Sequence, residues 1–170
     1  MNVKSLQPFA FVVSLAGLLG LLWVNLATLL GKPAPFEVSF IGIFLSMFPI
    51  WAFTIVYLQK TRPPIPEADA NQMSKLRQIQ YYLGNPPDWA MIVLALFYVY
   101  MFYSVFLYLN EGSIDPEYVN GQYQFFNHGK VTLYREEEYQ IQHRLHLRTI
   151  TGFFMGFFAV STAALGSWRR

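Results

Sequence analysis

Residues 149–168 read TITGFFMGFFAVSTAALGSW, and this stretch decides the fold because it contains no charged residue. A helix of about 20 residues is about 30 Å long, which matches the hydrocarbon core of a lipid bilayer. Lipid offers the backbone no hydrogen-bonding partner, so a segment that crosses it satisfies its own N–H and C=O groups as a helix. The stretch therefore predicts a membrane-spanning helix.

Three other uncharged stretches of similar length precede this one, at residues 5–31, 38–59 and 89–110. A soluble protein with four buried helices would need charged faces on them, and these stretches have none. We therefore predict an all-α membrane protein whose four transmembrane helices form an antiparallel bundle, in a single polytopic domain over residues 1–170. The predicted spans are residues 8–30, 37–59, 89–110 and 149–168.

The overall composition supports the same interpretation. Of the 170 residues, 54% are apolar and 13% are charged, whereas an average globular domain has about 25% charged residues. Intrinsic disorder is excluded, because it needs low hydrophobicity and high charge. The formal net charge of +2 is too small to indicate a nucleic-acid partner. The chain has no cysteine, and so no disulfide and no thiolate metal site.

The first apolar stretch resembles a secretory signal peptide in following Lys4, but it is too long for one. Residues 9–30 are apolar, whereas the apolar region of a signal peptide has about 7–15 residues. With four spans, the termini and residues 60–88 share one side, which holds seven of the twelve Lys and Arg residues. Positive loops favour the cytoplasmic side. We expect a multi-pass protein of the plasma membrane (in a bacterium, the cytoplasmic membrane) with both termini in the cytoplasm.

Between the second and third spans, residues 67–83 have the pattern of an amphipathic helix. Its apolar residues recur at steps of three and four and form one stripe, Met73, Leu76, Ile79 and Leu83. Gly84 then ends the helix. Such a helix can lie flat on the cytoplasmic lipid surface, pack against a partner or cap the bundle, and the pattern fits all three.

Between the third and fourth spans, residues 121–134 predict a small extramembrane β-hairpin. Polar and apolar side chains alternate on either side of the turn sequence Asn127-His128-Gly129. A second turn at Asn120-Gly121 leaves room for a third strand at residues 117–119. From about residue 135 the pattern is helical, so a helix longer than the bilayer is thick should run unbroken into the last span.

Small residues lie along one face of the last span, where they allow a second helix backbone to approach closely. They are Gly152, Gly156, Ala159, Ala163 and Gly166. A shorter set in the first span, Ala16 and Gly20, makes that span the simplest neighbour. The pattern leaves open whether the neighbour belongs to this chain, to another copy or to a different protein.

The polar side chains within the spans are small and uncharged, and we expect them to hydrogen-bond from helix to helix. The main ones are Ser14, Asn25, Thr28, Ser46, Thr54, Ser104, Ser161 and Thr162. Pro49 is either a kink of the kind that membrane helices tolerate or a possible hinge, with Ser46 near the carbonyl that it leaves unpaired. The hydroxyls of Tyr98, Tyr100 and Tyr103 either bond to a neighbouring helix or line a polar cavity.

His143 and His146 stand three residues apart on the projecting helix, with Glu136 on roughly the same face. Imidazoles at this spacing can share a metal ion, with the carboxylate as a third ligand. However, Arg144 places a positive charge beside the pair, and the glutamate that follows the first histidine in zinc hydrolases is absent. The alternative is an amphipathic helix at the membrane surface, with its histidines among the lipid headgroups. His128 is more typical of a turn than of a ligand.

No Asp, Glu, Lys, Arg or His lies within the four uncharged stretches (5–31, 38–59, 89–110 and 149–168), and proton relays and ion-coupled transporters generally need such residues within the membrane. We predict no catalytic residue and no cofactor. The favoured function is a non-catalytic accessory, scaffold or immunity-type subunit that binds a partner through the hairpin or the amphipathic helix. The alternatives are a small oligomeric channel or facilitator for a neutral solute, and a membrane enzyme with a surface metal site. The expected partners are the lipid bilayer and a protein or second copy, and not nucleic acid.

Overall fold

The computed structural model describes residues 3–34, 39–111, 114–127 and 130–166, and within them it contains six helices and three strands. The helices are α1 (Val3–Leu29), α2 (Phe40–Thr61), α3 (Glu67–Gln72), α4 (Lys75–Tyr82), α5 (Asp88–Glu111) and α6 (Glu136–Leu165). The strands lie between α5 and α6 and are β1 (Ile114–Val119), β2 (Gln122–Asn127) and β3 (Lys130–Tyr134). Four helices, namely α1, α2, α5 and α6, are long and apolar enough to cross a membrane.

The last long helix, α6, lies at the centre of the fold. It contacts α1, α2 and α5, whereas α1 and α5 hardly touch each other. About two-thirds of its apolar stretch is buried, against a third or less in the other three long helices. The structure therefore contains the four predicted long apolar helices, and α6 packs against the other three. Small side chains on α6 make this arrangement possible, because they let several helices approach one backbone.

Hydrogen bonds between α1 and α6 give the relative direction of these two helices. Ser14 of α1 bonds to Phe158 of α6, and Asn25 of α1 bonds to Arg148, so these two helices are antiparallel. The core between α1, α2 and α6 consists of Leu21, Met47, Ile50, Phe154, Met155 and Phe158. Burying such side chains stabilises a water-soluble fold by about 1.5–3 kcal/mol each, but within lipid the same contacts act through dispersion and close fit.

The predicted amphipathic helix over residues 67–83 is wrong in one respect, since it is divided into α3 and α4. Met73 has an extended backbone, with φ −88° and ψ 137°. Ser74 then begins α4, and its hydroxyl accepts a hydrogen bond from the N–H of Arg77 at 3.3 Å. Because the hydroxyl of Ser74 can cap the start of a new helix, a serine at this position favours a helix break over a place inside one continuous helix. The apolar stripe is consequently shared between the break and α4.

The predicted hairpin is part of a three-stranded antiparallel sheet in the order β1-β2-β3. Asn120 and Gly121 form the β1–β2 turn with φ values of 52° and 80°, which is the backbone that Asn-Gly turns favour. Tyr118 pairs with Tyr123, which in turn pairs with Tyr134. The other predicted turn, Asn127-His128-Gly129, includes His128 and Gly129, which lie outside the described residues. The third strand is confirmed and extends from Ile114 to Val119.

The helix predicted to run unbroken into the last span is also confirmed, over 30 residues. The backbone N–H of Arg135 donates to the Glu138 carboxylate at 3.0 Å, which fixes the first turn. Glu136 and Glu137 place further negative charge at the positive end of the helix dipole. Because β1 and β2 both contact α6, the sheet is attached to the same helix that forms the centre of the fold.

Candidate functional site

A buried hydrogen-bond cluster joins α1, α5 and α6 around Asn25, which is 3% exposed. Its amide nitrogen donates to the carbonyl of Arg148 at 3.0 Å and to the hydroxyl of Thr151 at 2.7 Å. Its amide oxygen accepts a hydrogen bond from the hydroxyl of Tyr100. One carboxamide thus uses both donors and its acceptor to connect three helices. Of the two alternatives for Tyr100, this contact is the bond to a neighbouring helix.

The other predicted helix-to-helix bonds are only partly present. The Ser14 hydroxyl lies 3.0 Å from the carbonyl of Phe158 and 2.9 Å from the hydroxyl of Thr162, so it connects α1 with α6. By contrast, several hydroxyls donate to carbonyls three or four residues back in their own helix. These are Thr28, Ser46, Thr54 and Ser104. The short side chains of Ser and Thr reach those carbonyls without a neighbour.

Two small residues of α6, Gly152 and Gly156, lie directly against side chains of α5. A Cβ atom on Gly152 would lie 3.4 Å from the Ser104 hydroxyl, and one on Gly156 would lie 3.1 Å from the Met101 sulfur. Further along the helix, Ala159 and Ala163 are buried. Gly166 follows the end of α6, where its N–H donates to the carbonyl of Thr162.

The first helix uses a different glycine from the one that the sequence suggested. A Cβ atom on Gly17 would lie 2.6 Å from the ring of Phe158, so only glycine fits there. At Gly20 an added Cβ meets no described atom within 4 Å, and Ala16 is exposed. The structure thus brings α1 to α6 at Gly17, and not at Ala16 and Gly20. Spacing does not distinguish Gly17 from Gly20, because it does not say which way a helix is rotated.

An apolar groove separates α1 from α5, and α6 forms its floor. It contains two cavities, which we call the upper and lower cavities, of about 320 and 250 Å³. Val93 and Phe97 line both of them, so the cavities adjoin. The upper cavity reaches Asn25 and Tyr100, while the lower one reaches Trp89 and Ala163. Leucine, valine and phenylalanine side chains supply most of the walls.

Pro49 lies on the exposed side of α2, which continues as a helix on both sides of it. The hydroxyl of Ser46 donates to the carbonyl of Ile43 at 2.8 Å. It therefore does not serve the carbonyl of Leu45, four residues before the proline, which was the expected partner. Tyr103 of α5 is exposed on the outside of the helices. The described side chains of Ser46 and Tyr103 therefore do not form a polar channel beside Pro49, the possible hinge.

A stack of rings attaches the sheet to the first turns of α6. The centroids of Tyr118 and Tyr123 are 4.7 Å apart, those of Tyr123 and Tyr139 are 4.6 Å apart, and those of Tyr139 and His143 are 5.8 Å apart. Burial raises the pKa of the Tyr123 phenol, and the negative charge of Glu136 raises that pKa further. Its ring packs between Tyr118 of β1 and Tyr139 of α6.

The suggested metal ligands do not form a metal site among the described residues. No three His, Cys, Asp or Glu side chains of the described segments come together as a possible ligand set, and this includes Glu136, His143 and His146. His143 is instead half-buried and stacked on Tyr139. The imidazole of His143 therefore packs on Tyr139, the residue of α6 whose ring contacts Tyr123 of the sheet.

Two apolar surfaces remain uncovered at the ends of the molecule. On α4, Leu76 is 63% exposed and Ile79 is also exposed, whereas Gln80 is buried and donates to the carbonyl of Pro86 at 2.7 Å. Met73 and Leu83, at either end of this stripe, are partly exposed. A short helix with its glutamine inside and its leucine outside is typical of an interface with lipid or another protein.

The second uncovered surface is the β3 edge, by which we mean the side of strand Lys130–Tyr134 that faces away from β2. No described strand pairs with this edge. Val131 and Leu133 are exposed on the strand, at 50% and 59%. The strands β1 and β2 contact α6, whereas β3 has few contacts with the helices. An open edge with exposed apolar residues is a template for strand addition.

No family model matches the chain, and neither a curated protein nor a solved structure matches it. The candidate sites therefore rest on the geometry of the chain alone.

Proposed function

We propose that the chain is a multi-pass protein of the plasma membrane (the cytoplasmic membrane in a bacterium), with α1, α2, α5 and α6 as its four spans and both termini in the cytoplasm. The support for this is the length and apolar composition of the four helices, together with the excess of Lys and Arg on the side of the termini. In this arrangement the sheet lies outside the cell, and α4 lies at the cytoplasmic surface.

Cysteine labelling tests the arrangement cleanly, because the native chain has no cysteine. We expect Thr132→Cys in β3 to react with a membrane-impermeant maleimide in intact cells, and Gln72→Cys, at the end of α3, to react only after permeabilisation. Both positions are exposed. A reversed labelling pattern would show the opposite orientation. If the two cysteines are labelled equally and the protein is not found in the membrane fraction, the four spans are contradicted.

We further propose that the protein is a non-catalytic accessory, scaffold or immunity-type subunit that recognises a protein partner through the sheet. The β3 edge is the observation that carries this proposal, because no described strand pairs with it and the exposed Val131 and Leu133 lie on this same strand. A partner that supplies an extended segment would add a fourth strand, with main-chain hydrogen bonds giving affinity and side chains giving specificity. The ring stack beneath the sheet keeps that edge at a fixed position relative to α6.

The test is capture of the partner from native membranes with the intact protein and with the double variant Val131→Lys, Leu133→Lys. Lysines on an edge strand oppose strand addition. The variant should recover at least about tenfold less partner, the equivalent of about 1.4 kcal/mol. Repeated recovery of the bare protein from native membranes, or undiminished capture by the double variant, would contradict the proposal.

A matched variant distinguishes the two uncovered surfaces. Leu76→Lys with Ile79→Lys places the same charges on α4, whose exposed stripe suits a lipid surface. We expect this variant to keep the partner. If it loses the partner while the β3 variant keeps it, α4 is the recognition surface. The channel alternative has less support because α6 lies between the other three long helices. The alternative of an enzyme with a surface metal site has less support because no three acidic or histidine side chains of the described residues form a possible ligand set.

A further inference from the structure

The guanidinium of Arg148 lies where the charged part of α6 meets its uncharged part. Its Nη2 donates to the carbonyl of Thr28 at 3.3 Å, in the last turn of α1. A cation is favoured there by the negative end of the helix dipole. Its Nε is buried and has no hydrogen-bond partner among the described residues. The described bond of its side chain goes to an uncharged carbonyl, so an arginine at the edge of the uncharged region retains an unused donor.

The same arginine stands at the polar end of the upper cavity. Its backbone carbonyl accepts a bond from Asn25, which lines that cavity. The side-chain oxygen of Asn25 accepts a hydrogen bond from the hydroxyl of Tyr100, another lining residue. From this end the cavity continues between Leu26 and Leu96, along an apolar wall. Arg148 is thus connected through Asn25 to the polar end of an apolar slot.

The dimensions fit one hydrocarbon chain of a single leaflet. On α1 the upper cavity extends from Leu22 to Leu29, which is about 10 Å along a helix at 1.5 Å per residue. Half of a bilayer's hydrocarbon core is about 15 Å deep. The volume of about 320 Å³ lies within the range of about 300–1,000 Å³ that ligand cavities occupy.

We propose that the groove between α1 and α5 binds an anionic phospholipid, with its phosphate on Arg148 and one acyl chain in the upper cavity. Guanidinium groups match phosphate oxygens in geometry and charge. A lipid with a net negative charge is favoured over a zwitterionic one, because Arg148 supplies a positive group and the residues that line the upper cavity supply no carboxylate to pair with a choline or an amine. The inference rests on the proposed membrane location, which cysteine labelling tests separately.

Native mass spectrometry of the full-length protein, purified in detergent, measures the binding. Phosphatidylglycerol and phosphatidylcholine with identical chains are the two probes. We expect the wild-type protein to retain phosphatidylglycerol at least about fivefold more than phosphatidylcholine, a difference of about 1 kcal/mol. Equal retention of the two lipids would overturn the inference, and would leave the partner proposal intact because that proposal depends on β3.

Paired variants test the two halves of the site. Val93→Trp fills the groove and should lower phosphatidylglycerol retention, whereas Val99→Trp, on an exposed part of the same helix away from both cavities, should not. Arg148→Gln should abolish the preference between lipids, and Arg144→Gln, one turn earlier, should keep it. Should Arg148→Gln fail to fold, the Val93 and Val99 pair decides the outcome. Unchanged retention by folded Val93→Trp protein contradicts the site.

Discussion

Replacing Asn25 by leucine is expected to lower the free energy of unfolding by about 2–3 kcal/mol, although the change makes the first span more apolar. The hydroxyl of Tyr100 loses its acceptor, and the hydroxyl of Thr151 and the carbonyl of Arg148 lose a donor. Interhelical hydrogen bonds in membranes average only about 0.6 kcal/mol each. A buried group that is left unpaired costs about 1–3 kcal/mol, so the stranded tyrosine hydroxyl dominates. Reversible unfolding in mixed micelles measures the loss.

A double variant separates the hydrogen bond from the shape of the side chain. Tyr100→Phe removes the hydroxyl that Asn25→Leu strands, so the two changes together should cost about 1 kcal/mol less than the sum of the single changes. Ser46→Ala is the control, since that hydroxyl bonds only within its own helix and is exposed. Strict additivity of the two changes, or an equal loss in the control, would show that Asn25 is not the centre of the cluster.

The second large effect is expected at Gly17, where leucine should destabilise the fold by about 3 kcal/mol and alanine by about 1–2 kcal/mol. Their Cβ atoms would lie 2.6 Å from the ring of Phe158, which is buried and has little room to move. Forcing the ring of Phe158 aside separates α1 from α6, which form the most extensive helix–helix contact among the described elements. Thermal unfolding in detergent gives the ranking of the two variants, and Phe158→Ala should restore part of the stability of Gly17→Leu.

Gly20 supplies a control one turn away on the same helix. An added Cβ there meets no described atom within 4 Å, and alanine favours a helix over glycine by up to about 1 kcal/mol. We therefore expect Gly20→Ala to leave the stability unchanged or to raise it. If Gly20→Ala destabilises the protein as much as Gly17→Ala does, the two helices meet through the other glycine.

The elements that follow from local pattern are those that the sequence predicts well. The four long helices come from uncharged runs, and the β1–β2 turn comes from Asn120-Gly121, whose backbone preferences are intrinsic to the two residues. The break before α4 was missed because an apolar stripe continues across Met73, and the stripe hides the capping tendency of Ser74. The third strand was recognised at residues 117–119 but begins earlier.

The candidate sites depend on contacts that pattern does not give. Asn25 was recognisable as a polar residue in an apolar span, whereas its three partners come from α5 and α6. The role of Arg148 was not foreseen, because nothing local relates it to the end of α1, 120 residues earlier. The sequence predicts the apolar stripe of α4 as one face of an amphipathic helix, but it does not predict that Gln80 of the same helix is buried.

By itself, the sequence determined that this chain has four helices fit for lipid, an amphipathic segment, a small sheet and spans without charge, because these properties belong to short runs of residues. Only the tertiary structure decided that α6 is the central helix, that Gly17 meets Phe158, and that a groove with a cation at its end remains between α1 and α5. The physical reason is that, in lipid, a helix can rotate about its axis and turn any apolar face inward at little cost. Close fit and a few hydrogen bonds between residues distant in the sequence therefore select the face that packs.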